Sequence, residues 1–322
     1  MRGSGVGKRP RVEEIDARSA SDEVLSQFAA IEHGTWHERA PGEPLRTTAE
    51  VIAFYRHQPT SHTSCHWLAD GGMGALYVHG PTATFLELNV FPGMRRQGIG
   101  TAILERALER CSELEVQAVH GHHSTPDGAA FAARFGFADG QRVVRSLLPL
   151  RTAELPEPEV PEGWRLESWL ARVPDEHLAA LVTARAAMDD APTTDDLEFP
   201  AWTAATVRAS EESLALRNRE MRLTVAIRDD GVIGSFTELR VSRGSALGFT
   251  DDTGTVAEHR GQGLARAVKL ESLRRLRDDH PSIEVVSTSN AEENAAMRHV
   301  NERLGFRPSS IDTTATRSLS GA

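Results

Sequence analysis

One segment of this sequence occurs twice, and a chain with two copies of a strand, turn and helix must house two copies of the fold that needs them. The first copy runs FLELNVFPGMRRQGIGTAILERALERC over residues 85–111, and the second runs TDDTGTVAEHRGQGLARAVKLESLRRL over residues 250–276. Placing Arg95 on Arg260 gives an offset of 165 (260 − 95), and Gly136 of Phe135-Gly136-Phe137 falls on Gly305 of Leu304-Gly305-Phe306 at an offset of 169 (305 − 136). Only a few inserted residues separate the copies. Asp70-Gly71-Gly72 and Asp229-Asp230-Gly231 are hairpin-turn signals upstream in each half.

A length of 322 residues with 39% hydrophobic content suits two soluble domains. The stretch AELPEPEVPEG, residues 153–163, is rich in Pro and Glu and reads as a semi-rigid linker. The expected organisation is a disordered tail (1–10), an N-terminal domain (11–152), this linker, and a C-terminal domain (164–318). No apolar run approaches the ~20 residues of a membrane span, and no apolar stretch follows the charged start as in a signal peptide, so a cytoplasmic protein without a membrane partner is expected. Cys65 and Cys111 have neither metal-ligand nor disulfide-scaffold spacing. A net charge of −10 repels nucleic acid, so an anionic ligand would need a local device.

Each half alternates helices and strands. In the first, helices are expected near 21–33 and from the capping box Thr47-Thr48-Ala49-Glu50, with strands at 65–68, 75–78 and 84–90. A helix at 98–114, a strand at 116–120, a helix at 127–134 and a strand at 142–148 follow. The second half repeats the core of this order with a strand at 247–256, helix 263–277, strand 283–287 and helix 291–304. The pattern specifies an α/β class with α+β mixed sheets, twice.

The local device is the turn between strand and helix. Arg95-Arg96-Gln97-Gly98-Ile99-Gly100 and Arg260-Gly261-Gln262-Gly263-Leu264-Ala265 place glycines where a helix starts. Glycine lets the backbone come close to a ligand, and the first helical turn leaves N–H groups without intrahelical partners, so each turn can wrap a phosphate. Neither turn has the full Gly-x-Gly-x-x-Gly of a dinucleotide fold or the Gly-Lys-Ser/Thr of a P-loop.

These turns resemble motif A of the GNAT acetyltransferases, Arg/Gln-x-x-Gly-x-Gly/Ala, through Arg95, Gly98 and Gly100 in one half and Arg260, Gly263 and Ala265 in the other. The Gly-Phe endings are similar to the close of motif B. Met188–Pro192, Thr253–Gly263, Thr288–Met297 and Val300–Glu302 further resemble two-domain bacterial members. The resemblance implies two tandem GNAT folds, acetyl-CoA as donor with its pyrophosphate on the two turns, and a small amine-bearing acceptor. It also implies that two parallel strands splay apart in each half and receive the pantetheine arm.

Acetyl transfer to an amine needs a neutral amine, a polarised thioester carbonyl and a proton for the departing thiolate. A strand amide freed by a bulge near Val90 or near Val256 is the candidate carbonyl donor. Eight residues before each motif arginine stand Glu87 and Asp252, either the proton acceptors or solvated strand carboxylates. In the second half Asp251 and Asp252 are adjacent and are expected on opposite strand faces. At the positions of the family's motif-B tyrosine, its general acid, stand Ala132 and Asn301, so water or Asn301, with the thiolate simply leaving, are the remaining options. Asn290 and Asn294 are candidates for pantetheine contacts, with a helix cap as the other role for Asn290. His120, His122 and His123 lack partners at metal-ligand spacing, so no metal is expected. Trp36, Trp164 and Trp202 belong to an acceptor pocket or to the core, and a charged helix near 200–218 lies where acceptor-binding helices are placed in the family. The C-terminal half carries the richer match and is the expected catalyst. Catalysis in the N-terminal half and a non-catalytic acyl-CoA sensor are the alternatives.

Overall fold

The computed structural model describes residues 10–58, 63–186 and 201–319. They form two compact units that are not contiguous in sequence: unit 1 takes the chain up to Arg39, Phe54–Gly140 and Thr313 onward, and unit 2 takes Ala40–Ala53 and Gln141–Asp312.

Unit 1 is built from β1 (Val12–Glu14), α1 (Asp22–Arg39), the end of α2 (Thr48–Arg56), β2 (Thr63–Ala69), β3 (Gly72–His79), β4 (Thr82–Val90), α3 (Ile99–Glu113), β5 (Ala118–His123) and α4 (Pro126–Arg134). β1 to β4 pair antiparallel in sequence order. β4 and β5 are parallel, and only Thr82–Thr84 pair with Ala118–His120 before the two strands part. α3 buries Ile99, Ala102, Ile103, Ala107 and Cys111, the stripe that a 3.6-residue period places on one face. It lies so close to β3 that a Cβ on Gly74 would stand 2.6 Å from the Ile103 side chain. Cys65 and Cys111 are free and buried in this core.

Unit 2 repeats the plan with β6 (Ala138–Pro149), β7 (Arg165–Leu170), α5 (Leu178–Arg185), α6 (Ala204–Leu216), β8 (Arg219–Ile227), β9 (Ile233–Ser242), β10 (Leu247–Thr255), α7 (Leu264–Asp279), β11 (Val285–Ala291), α8 (Ala295–Arg303) and β12 (Arg307–Ser318). Here too the parallel pair separates: Leu247–Thr250 of β10 pair with Val285–Thr288 of β11, and the pairing ends there. One apolar cluster lies between the sheet and α7, centred on Leu270, Leu273, Leu276 and Val286, and another binds α5 and α6 to β8 and β9 through Leu181, Val207, Leu223 and Phe236.

The terminal strands are exchanged between the halves. β6 follows the first repeat yet pairs with β11 of unit 2, Val143–Pro149 against Val285–Ala291, while Thr313–Ser318 of β12 follow the second repeat and pair with β5 of unit 1. A boundary at 153–163 therefore divides the sequence repeats but not the compact units, because the last strand after each motif-B helix completes the other sheet. The 153–163 stretch lies inside unit 2. The capping box at α2 forms: the Thr47 N–H donates to Glu50 Oε2 at 2.7 Å and the Glu50 N–H to Thr47 Oγ1 at 3.2 Å.

Candidate active site

Both motif turns adopt one geometry. Gly98 and Gly263 cap α3 and α7 at φ of 86° and 85°, left-handed values that a residue with a Cβ adopts at a cost, and neither cap uses a side chain. No cap side chain therefore takes the first-turn N–H groups of either helix. Around Gly261 and Gly263 nothing lies within 4 Å of where a Cβ would project, whereas the nearest atoms to that point on Gly98 belong to Pro10, at 3.9 and 4.0 Å. The motif arginines brace the turns from behind: Arg95 Nε donates to the Val90 carbonyl at 3.3 Å, and Arg260 Nε to the Thr255 carbonyl at 3.1 Å. Arg95 also pairs with Glu38 at 2.5 Å and Asp127 at 3.4 Å.

The strand interruptions lie earlier than expected. In unit 1 the register with β3 shifts between Phe85 and Glu87, and in unit 2 the register with β9 shifts between Thr250 and Thr253. The Val256 N–H donates to the Gly234 carbonyl at 2.9 Å, so it is not the freed amide assigned to it from sequence, whereas the Phe91 N–H bonds the Gly71 carbonyl and leaves the neighbouring Val90 backbone turned away from β3, where its carbonyl meets Arg95. The extra residue is inserted inside the strand, at Leu86 and at Asp251-Asp252, at matching places in the two repeats. The same insertion overturns the expectation that Asp251 and Asp252 face opposite sides: they join one charged network.

That network is continuous. Arg185, at the end of α5, donates to Asp252 Oδ2 at 2.9 Å and to Glu238; Glu238 also accepts from Arg240 Nε at 2.7 Å; and Arg240 Nη2 lies 2.5 Å from Asp251 Oδ2. Arg185 is 2% exposed and is held between the rings of Trp202 and Phe236, its guanidinium carbon 4.0 and 5.3 Å from their centres. Burial pushes Glu238 up, but Arg240 and Arg185 outweigh it and hold its carboxyl below the usual range. Burial wins at the two aspartates: Asp251 is raised to about 6, and Asp252 is raised against the pull of Arg185, with Glu238 adding to the rise. Asp252 keeps 29% of its side chain exposed.

Glu87, its counterpart, is locked. Arg39 Nη1 donates to one carboxylate oxygen at 2.9 Å and Asn89 Nδ2 to the other at 2.5 Å. Arg39 also stands 3.8 Å from Glu32, which is fully buried and accepts a 2.8 Å bond from the Tyr55 hydroxyl.

Asn290 is not a helix cap. It lies in β11, and its Oδ1 accepts from Asn301 Nδ2 at 2.6 Å, while Asn294 caps α8 by accepting the Met297 N–H at 3.1 Å. Asn301 is 2% exposed, and its own Oδ1 has no partner among the described residues. His120 and His123 bond Thr316 and Asp139. Trp164 fills the space over Gly234, with ring atoms 2.2 Å from where a Cβ would stand, and Trp36 is 6% exposed with Arg39 over its ring at 4.8 Å. Met188–Pro192 lie outside the described residues. Sequence reasoning missed Arg185, Glu238 and Arg240. The signal was present in β9, where Glu238 and Arg240 alternate on a strand otherwise written in apolar and small residues.

The acetyltransferase (GNAT) family model matches residues 25–137. A mycothiol acetyltransferase of Salinispora arenicola is 32% identical over 259 residues, spanning 78% of this chain and 79% of that protein. The chain belongs to the GNAT acetyltransferases. A tandem GNAT protein from the clavulanic acid biosynthesis pathway superposes with a TM-score of 0.84 at 24% identity, covering 98% of this chain and 100% of its own, and a GCN5-related N-acetyltransferase from Sphaerobacter thermophilus with 0.68 at 16% identity, covering 95% of each. These share its fold. The protein is a tandem GNAT N-acetyltransferase, an enzyme that moves an acetyl group onto an amine, and the family's donor is acetyl-CoA. Among the described residues no helix is long and apolar enough to cross a membrane.

Proposed function

We propose that unit 2 carries out the transfer, that acetyl-CoA is held at the turn Arg260–Ala265, and that Asp252 accepts the proton of a small amine. The observation that carries this reading is the contrast between the two matched carboxylates: Asp252 is partly open and raised in proton affinity, while Glu87 is bonded on both oxygens. A carboxylate with a raised pKa is the better base at neutral pH. The open space around Gly261 and Gly263 fits a pyrophosphate held by backbone N–H groups.

Acetyl-CoA supplies the acyl group as a thioester, with a thiolate leaving group. The chain's residues arrange the rest. The interrupted strand at Asp251-Asp252 offers the backbone that polarises the carbonyl, and Asp252 takes the amine's proton directly or through one water. Arg185 fixes the Asp252 carboxylate and is itself fixed by Glu238. Asn301 cannot donate a proton as a tyrosine can. Its role is to hold Asn290 on the splayed strand, so the thiolate departs unassisted or takes its proton from water, as a thiol of ordinary pKa, about 8.5, allows. The turn Arg95–Gly100 binds the same donor without transferring from it. The resemblance to mycothiol acetyltransferases makes mycothiol-related amines the first acceptors to try. The site of action is the cytoplasm, where the donor is available.

The test is thiol release from acetyl-CoA by the full chain across a panel of amines, with calorimetric titration of acetyl-CoA alone. Amine-dependent release is expected. Release that survives disruption of the Arg260–Ala265 turn but not of Arg95–Gly100 would move the chemistry to unit 1.

A further inference from the structure

Side chains along β8 divide cleanly between the two faces of the sheet. Glu220 and Arg222 reach His280 and Asp279 at the end of α7, while Met221 and Leu223 pack with the α5 and α6 residues Leu181 and Val207. Arg219 shares the second face by the two-residue period, as does Arg240, whose ladder partner is Met221 and whose side chain enters the network with Asp251. This is the face on which Asp252 meets Arg185.

Arg185 and Arg240 are answered there by Glu238, Asp251 and Asp252. Burial, then the positive fields of Arg240, Arg46 and Arg217, hold the Arg219 guanidinium down at about 10, with Asp251 opposing them. Asp251 is already engaged by Arg240 at 2.5 Å. Arg219 makes no ion pair among the described residues. A largely buried guanidinium without an ion-pair partner costs stability, and an anion that joins it removes that cost.

Position identifies whose anion it is. Arg219 pairs with Ser242, next to Val241, and Val241 pairs with Gly248 near the start of β10. The phosphate turn follows Thr255 at the other end of that strand. Seven residues at ~3.3 Å each put about 23 Å between those two rows. The interruption at Asp251-Asp252 and the parting of β10 from β11 after Thr250 lie between them. On the reading that unit 2 carries the transfer, the donor would run from the phosphate turn toward the interruption. Arg219 stands beyond it, on the acceptor's side.

We propose that Arg219 receives an anionic group on the acceptor, so that the acceptor class is a small amine bearing a carboxylate, phosphate or sulfonate. Arg46 and Arg240 supply the surrounding positive field, and the amine is delivered toward Asp252. The inference rests on the reading that unit 2 carries the transfer.

The experiment compares matched acceptors with the full chain, glucosamine 6-phosphate against glucosamine and 6-aminohexanoate against hexylamine, by thiol release. The anionic member of each pair is expected to show a kcat/KM at least tenfold higher. Arg219→Gln should lower that ratio by roughly 10- to 100-fold, the worth of a charge-assisted hydrogen bond, and Arg219→Lys should restore part of it. Inorganic phosphate should compete with the acceptor and not with acetyl-CoA; competition with acetyl-CoA alone would assign the anion to the donor and overturn the proposal. Equal use of both members of each pair, or a ratio unmoved in Arg219→Gln, also overturns it. If no amine releases thiol, the assignment of catalysis to unit 2 fails first. Calorimetry of the anionic amines then decides the anion site, with heat expected for the wild type and lost in Arg219→Gln; heat in neither or in both sinks it.

Discussion

The two units share a turn, a splayed strand pair and a carboxylate eight residues before the motif arginine, yet they treat that carboxylate in opposite ways. In unit 1 an arginine from α1 and a neighbouring asparagine saturate Glu87. In unit 2 an arginine from α5 holds one oxygen of Asp252, and burial, aided by Glu238, pushes its proton affinity up. A duplicated fold can preserve one scaffold while the ion pairs around a matched carboxylate differ between its copies.

The largest effect should come from that pair. Asp252→Asn keeps the shape and the bond to Arg185 but removes basicity, so kcat should fall by roughly 10²–10⁴ with acetyl-CoA affinity little changed, while Glu87→Gln has a small effect. Reversal of the two outcomes would make unit 1 the catalyst. Because Asp252 is raised above the usual carboxylate range, kcat/KM should fall as pH drops through that raised value, and Asp252→Asn should remove this limb of the profile. An unchanged limb would assign it to another group.

A second contrast lies in the cores. Lys269 on α7 occupies the position of Leu104 on α3, since 269 − 104 equals the repeat offset of 165. Lys269 is 2% exposed, and burial lowers its ammonium to about 7. A base whose folded pKa lies below its unfolded value, about 10.4, makes the protein more stable as pH rises between the two, with a slope approaching about 1.36 kcal/mol per pH unit. Lys269→Leu should therefore stabilise the protein by on the order of a few kcal/mol at pH 7 and flatten that dependence, as read by urea unfolding at pH 7 and pH 9.5. No gain at pH 7 would show that the lysine has a partner worth its burial.

The smallest expected effect separates the two cofactor turns. Gln262→Glu and Gln97→Glu each place a negative charge beside a candidate pyrophosphate without straining a left-handed glycine, and each should weaken acetyl-CoA at its own turn by about tenfold. Calorimetry would resolve two classes of site if both turns are used. A change in only one variant marks the turn that binds.

Much of this was legible in the sequence because it is local. The turns, the helix stripes of α3 and the capping box at Thr47 depend on residues within one or two turns of chain, and all formed as written. The interruption of β10 was misplaced because no local residue pattern marks it, and the partners of its two carboxylates, Arg240 and Arg185, include an arginine 67 residues away. Asn290 read as a pantetheine contact or a cap, because an asparagine before a helical stretch fits either; its partner, Asn301, lies 11 residues on and becomes a neighbour only once α8 has packed. Nothing in a linear repeat tells which sheet its last strand joins.

That last strand bears on how such a protein can change over time. Residues 313–318 lie beyond the second repeat but close the sheet of unit 1, and β6 lies beyond the first repeat but closes the sheet of unit 2. Deleting either half of the gene would strip the survivor of an interior hydrogen-bonding neighbour and expose a raw sheet edge. Selection could let one of the two centres decay, yet it must keep the whole domain around it, because each half borrows its last strand from the other.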